Sequence, residues 1–191
     1  TSNIILASTR YGVGTLAINK AGAFTLSNQI SGVGDVVERG EGTTTFAGDN
    51  SFSGGLSVEK GVAQAGIADT AFGTGMVAIK SGATLDLANF NETIGGLAGG
   101  TTGDGDITLG SGTLTLNQMQ HDDFSGVISG TGGLTLSQTS TSSLTLYGAN
   151  TYSGDTNVAG AKLIQGAQGA FSGTSAYSVA DGAAIDLGGF S

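Results

Sequence analysis

The chain repeats itself in order about one hundred residues apart, and this limits the folds open to it more than any other feature. Ile30-Ser31-Gly32-Val33-Gly34 returns as Ile128-Ser129-Gly130-Thr131-Gly132, an offset of 98. Gly48-Asp49-Asn50-Ser51-Phe52-Ser53-Gly54 returns as Gly148-Ala149-Asn150-Thr151-Tyr152-Ser153-Gly154, an offset of 100. Gly82-Ala83-Thr84-Leu85-Asp86-Leu87 returns as Gly182-Ala183-Ala184-Ile185-Asp186-Leu187, again at 100, and Phe90 matches Phe190. The sequence therefore divides into a partial copy at 1–29, a full copy at 30–127 and a partial copy at 128–191, all within one structural unit.

Inside each copy, apolar residues alternate with Thr, Ser or Asp in short runs such as Thr113-Leu114-Thr115-Leu116 and Leu134-Thr135-Leu136. Period-two alternation puts one face inward along an extended strand. Doublets such as Gly54-Gly55, Gly95-Gly96 and Gly132-Gly133 separate the runs and supply sharp corners. The segment 63–72 has the most helix-like spacing, but it contains Gly66 and is too short to stand alone, so a loop or single turn is expected there. A hundred-residue repeat is too long for one solenoid coil and implies several coils per repeat. At roughly 20–25 residues per coil the chain makes about 8–9 coils. Parallel strands joined by crossovers are right-handed in nearly all cases. The expected fold is a right-handed parallel β-helix, a rod on the order of 40 Å long with coils about 4.8 Å apart. A β-sandwich or tandem immunoglobulin-like domains are less natural, because Asn-Gly turns, Pro and Trp are all absent.

Composition supports a packed rod over a disordered chain. Gly is 36 of 191 residues, yet 38% of residues are hydrophobic and mean hydropathy is +0.15, enough apolar material for a core. Absent cysteine rules out disulfides and thiolate metal sites, and stacked repeats need no staples. A net charge of −9 without any run of basic residues argues against nucleic-acid binding. No stretch is apolar for long enough to form a membrane helix. With Thr1-Ser2-Asn3 at the start, and neither Met nor a signal-peptide pattern, the chain reads as an excised or processed piece.

The word order carries a resemblance. An Asn-x-aromatic-Ser-Gly element precedes Gly82-Ala83-Thr84-Leu85-Asp86-Leu87, then Thr93-Ile94-Gly95-Gly96-Leu97, then Gly110-Ser111-Gly112-Thr113-Leu114-Thr115-Leu116. Phe124-Ser125-Gly126-Val127-Ile128-Ser129-Gly130-Thr131-Gly132-Gly133-Leu134 follows. From about Ala21 onward this resembles the passenger-associated, or autotransporter-associated, β-strand repeat. The resemblance implies a Gram-negative protein exported by type V secretion and displayed at the cell surface or secreted. In such proteins the β-helical stalk aids passenger folding, export and display. Whole proteins of the family serve as adhesins, toxins or virulence effectors, so a host receptor or matrix protein is the implied partner. No catalytic residue carries over from the repeat, and no cofactor is implied.

Phe24 and Leu26 align with Leu114 and Leu116 at an offset of 90, whereas Ile30 aligns with Ile128 at 98. The second copy thus holds eight extra residues, 98 minus 90. Asn117, Gln118, Met119, Gln120, His121, Asp122 and Asp123 lie there and are expected to leave the shaft as a contact loop. His121 beside two aspartates invites a metal or catalytic reading. Neighbours on an extended chain point apart, however, and one His without Cys is thin for zinc.

Other candidates are weaker. Gly99 to Ile107 resembles one imperfect calcium nonapeptide, with Asp104 and Asp106 as ligands, though a corner turn explains it better. Asn50 and Asn150 are expected to hydrogen-bond along a corner, with Phe52 and Tyr152 filling the coil. A carbohydrate-cleaving groove would need clustered carboxylates from Glu38, Glu41 and Glu59, since Asp86 and Asp186 stand about four coils apart, roughly 20 Å. An ice-binding face would need Thr-x-Thr on every coil, and Thr113-x-Thr115 is the clear instance. Asn91-Glu92-Thr93 forms an incidental glycosylation sequon. Terminal coils are expected to stack end to end through open strand edges.

Overall fold

The computed structural model describes residues 2–10 and 12–190. Among them every regular element is a strand, and the strands stack in parallel into a solenoid of about eight turns with three faces per coil. The first face runs through Thr15–Ile18, Asp35–Glu38, Gly55–Val58, Met76–Ile79 and Gly96–Ala98. It continues, after a break in the ladder, through Asp122–Phe124, Leu144–Leu146, Lys162–Gln165 and Ala184–Asp186. The second face holds Phe24–Leu26, Thr43–Phe46, Val62–Ala65, Thr84–Asp86, Asp106–Thr108 and Ile128–Ser129. The third begins with Ile4–Leu6 paired to Ile30–Gly32 and later holds Glu92–Ile94, Leu114–Leu116, Leu134–Leu136, Thr156–Val158 and Tyr177–Val179.

Coils are slightly shorter than the sequence suggests. Val62 pairs with Thr43 below and Thr84 above, steps of 19 and 22 residues. The first coil is the exception. Ile4 pairs with Ile30, 26 residues on, because an antiparallel hairpin of Ser8–Thr9 and Gly12–Val13 is let into it. That hairpin explains why the first twenty residues match the repeat poorly. The segment 63–72 is neither wholly loop nor wholly turn: Val62–Ala65 is a second-face strand whose Ala63 and Ala65 are buried, and the chain turns only afterwards.

Alternation builds the core. Val36, Leu56, Val77 and Leu97 stack in one inward column of the first face, and Ile94, Leu116, Leu136 and Val158 in one of the third. All are buried, and Phe46 meets Phe72 edge-on at 6.0 Å. Burying one such side chain contributes about 1.5–3 kcal/mol, which is how a rod without disulfides holds together.

The corners account for the glycine content. Gly14, Gly34, Gly54 and Gly75 lie over one another, and a Cβ on Gly34 would sit 1.9 Å from the Gly14 carbonyl oxygen. At Gly132 the same atom would meet the Gly112 oxygen at 1.8 Å. Backbone stacks on backbone there with no room for a side chain.

Asparagines replace backbone groups at the bends. Asn50 Oδ1 accepts from Ile30 N–H at 2.8 Å while its Nδ2 donates to the Ala71 carbonyl at 2.7 Å, so one side chain ties three coils. Asn150 does the same between Ile128 N–H and the Ala170 carbonyl, at 2.8 and 2.6 Å. Beside them Phe52 and Tyr152 are fully buried. The hydroxyl that distinguishes Tyr152 lies 2.7 Å from the Thr156 hydroxyl, and Thr156 stands where the first copy has Leu56. Burial holds that phenol protonated beyond the ordinary tyrosine range. Phe52/Leu56 and Tyr152/Thr156 are therefore two self-consistent solutions. Thr156→Leu alone is expected to cost about 1–3 kcal/mol by stranding the phenol. Combining it with Tyr152→Phe should recover part of that loss, a coupling of about 0.5–3 kcal/mol in a urea double-mutant cycle.

The two sequence copies do not superpose on the coil. From Thr84–Asp86 the second face climbs through 106–108, 128–129, 150–152 and 170–172, four coils. The chain then passes Tyr177–Val179 on the third face and reaches Ala184–Asp186 on the first. Asp86 and Asp186, expected at equivalent repeat positions about four coils apart, are four and two-thirds coils apart on different faces. Asn50 and Asn150 are displaced likewise, from the third face to the second.

Candidate functional site

The eight extra residues build a strand as well as an excursion. In the first copy Phe24–Leu26 leads directly to Ile30–Gly32. In the second, Asp122–Phe124 is inserted between Leu114–Leu116 and Ile128–Ser129, with Phe124 in the core. Gln118 is fully buried. Its amide accepts from Leu97 N–H at 3.0 Å and donates to the Leu97 carbonyl at 3.2 Å, taking the place of a neighbouring strand where the first-face ladder breaks. It also donates to the Gln120 carbonyl at 2.9 Å. Asn117, Asp122 and Asp123 are half-buried. Of the seven, Met119, Gln120 and His121 are the exposed ones, Met119 at 58% exposure. The expected seven-residue loop is thus a three-residue tip on a buried glutamine, because the apolar Phe124 draws the rest of the insertion into the shaft.

His121 Nδ1 lies 2.5 Å from Ser143 Oγ, both on the surface, without a third group to orient the ring. Burial raises Asp122 above the usual carboxylate range; His121 opposes the shift and Asp123 adds to it. Among the described residues no three His, Cys, Asp or Glu side chains are grouped to hold a metal. Asp104 instead ties a corner, its Oδ2 accepting from Gly100 N–H, Ser125 N–H and Ser125 Oγ at 3.0, 2.9 and 3.0 Å. Asp106 accepts from Val127 N–H at 2.9 Å.

Of the carboxylates considered for sugar cleavage, Glu41 and Glu59 line one shallow groove beside Lys60, but each is held in an ion pair. Glu38 is buried and accepts from Gly40 N–H, Glu41 pairs with Lys60 at 3.5 Å, and Glu59 pairs with Arg39 at 2.9 Å. Asp86 belongs to an outward ladder with Gln64 at 2.9 Å and Thr108 at 3.0 Å, and Asp186 pairs with Lys162 at 2.5 Å.

Coil stacking also gathers what the sequence scatters. Ile18, Glu38, Val58 and Ile79 are in register, so Arg39, Glu59 and Lys80, one residue on, share an edge of the shaft, with Lys20 and Lys60 one further. A basic cluster exists after all, contrary to its absence along the chain. The signal in the sequence is one cation at each coil-length step: 20, 39, 60 and 80.

The passenger-associated-transport-repeat family matches residues 36–62 and 136–164. Each match contains one of the three-coil asparagines with its aromatic. The adhesin BmaC autotransporter of Brucella suis biovar 1 (strain 1330) is 35% identical over 157 residues, 80% of this chain. The chain spans 4% of the length of that relative. No solved structure matches it significantly. A parallel solenoid that carries the passenger-transport repeat twice is a segment of an autotransporter passenger, and the chain belongs to that family, exported across the outer membrane to the cell surface or the medium.

Proposed function

We propose that this segment is a non-enzymatic shaft of a surface adhesin, stacking coils to hold a more distal binding region away from the cell. The observation that carries this is the core. One apolar cluster runs from Leu6 to Ala170, and the grooves along the described surface at residues 15–78 and 78–122 are shallow and open. Such a body, with each coil buried by its neighbours, resists bending. The adhesin named above supports the surface setting.

A second reading is favoured by the exposed Met119 beside the broken ladder: the tip at Met119, Gln120 and His121 contacts a host receptor or matrix protein directly. Deleting 117–123 would remove the buried Gln118, so the separating experiment is the triple substitution Met119→Ser, Gln120→Ser, His121→Ser. Binding of the 191-residue chain to cultured host cells and immobilised matrix proteins is measured with and without it. Binding that is the same with and without the triple substitution, or none in either, is the result expected of a shaft. Binding that disappears in the triple variant overturns that reading in favour of the tip.

A further inference from the structure

Four of the six Lys and Arg residues fall on the edge described above: Lys20, Arg39, Lys60 and Lys80. They belong to four consecutive coils, so cations recur at about 5 Å steps over about 14 Å of shaft. With Glu41 and Glu59 the edge carries four positive and two negative charges, +2. The rest of the chain has two cations and thirteen carboxylates, −11, and the two parts sum to the overall −9. The polarity of this edge is therefore opposite to that of the molecule.

Its ion pairs leave the cations available. Arg39 and Glu59 side chains are 53% and 42% exposed, Lys60 and Glu41 61% and 78%. Pairs so exposed are worth about 0–1 kcal/mol and exchange partners readily. Lys80 makes no ion pair among the described residues, and Lys20 lies 5.3 Å from the Phe24 ring centre. A groove of about 370 Å³ runs alongside on the first face, lined by Arg39, Val37, Gly55, Ser57 and Met76, with Asp35 its one carboxylate. Small residues at Gly55 and Ser57 keep it open along the shaft axis.

We propose that this edge and groove bind a linear sulfated polysaccharide lying parallel to the shaft. A sulfate ester stays charged at all physiological pH. A narrow polymer carrying such groups on successive units meets one cation per coil. It also keeps its charge on the basic edge, where Asp35 of the groove is the one carboxylate it meets besides Glu41 and Glu59, and fields from the rest are screened over about 8 Å at physiological salt. Duplex nucleic acid presents a broader cylinder with one charge per roughly 1.7 Å, and the acidic flanks repel it. This proposal is independent of the tip at 119–121.

The test is binding of the folded 191-residue chain to immobilised heparin, as the sulfated probe, in about 0.05 M salt, with fully desulfated heparin and duplex DNA in parallel. Expected are binding to heparin alone and release as salt rises. Lys60→Ser with Lys80→Ser should weaken binding by on the order of tenfold. Lys60→Arg with Lys80→Arg should keep it, as should Lys162→Ser on a different part of the shaft. Circular dichroism melts confirm that each variant is folded, and Lys60→Gln with Lys80→Gln replaces the Ser pair if that one is not. No retention on heparin, equal retention on desulfated heparin or DNA, or equal loss in Lys162→Ser would each overturn the proposal.

Discussion

Replacing Asn50 by Ala is expected to lower the melting temperature by on the order of 10 °C. The asparagine satisfies Ile30 N–H and the Ala71 carbonyl at once, and it is 2% exposed. Removing it strands two buried backbone groups at about 1–3 kcal/mol each. For a domain of this length each kcal/mol shifts the midpoint by about 2–4 °C. Asn50→Asp should do no better, because it keeps the acceptor for Ile30 but turns a second oxygen toward the Ala71 carbonyl and buries a charge. Asn150→Ala should match Asn50→Ala, since the geometry is the same two faces away. Asn157→Ala, on an exposed position, should change little. A thermal melt of the four variants decides it: if Asn50→Ala melts with the wild type, coil bridging contributes nothing to stability.

Glu92→Gln is expected to make stability nearly independent of pH where the wild type weakens. Glu92 occupies an inward column with Leu114 and Leu134 above it and is 1% exposed. Its Oε2 accepts from Ala71 N–H at 3.2 Å, and its Oε1 has no partner. Burial pushes its pKa from 4.5 up to about 8; the Ala71 bond opposes this and the charge of Asp69 adds to it. The folded state therefore holds the proton more tightly than the unfolded one. The benefit is fully present below pH 4.5, is lost progressively as pH rises toward 8, and is absent above it, a swing on the order of 5 kcal/mol. Glutamine keeps an acceptor for Ala71 and removes the charge. Urea midpoints from pH 5 to 9 should decline for the wild type across this window and stay nearly flat for the variant. The variant should be the more stable protein at pH 9 and gain nothing at pH 5. Parallel slopes in the two proteins would show that Glu92 is not the group responsible.

Both effects rest on inward side chains that the alternating pattern alone does not explain. Leu85, Leu114 and Leu134 announce their strands, because a residue at every second position faces the core whatever its neighbours do. Glu92 breaks that rule, and its burial follows only from its place in a column of leucines. Gln118 is similar. On the sequence it looks like part of a polar insertion, whereas in the fold its amide completes a ladder left open at Leu97. The recurrence of Asn50 and Asn150 did mark a structural role, and the hydrogen bonds define it as a tie between three coils.

The repeated word order, the alternation and the glycine-rich corners were enough to determine a parallel stack of short strands and the passenger family, because each is a local requirement: an extended backbone, a buried face, a corner without a Cβ. Which face any residue occupies was decided only by the tertiary structure. Coil length varies between 19 and 22 residues in the regular part of the stack, and the insertion before Ile128 adds a whole strand. Register therefore depends on accumulated hydrogen-bond pairing and not on sequence offset. For that reason two copies one hundred residues apart turn their equivalent residues to different sides of the shaft. For the same reason four cations scattered along an acidic chain come to share one edge.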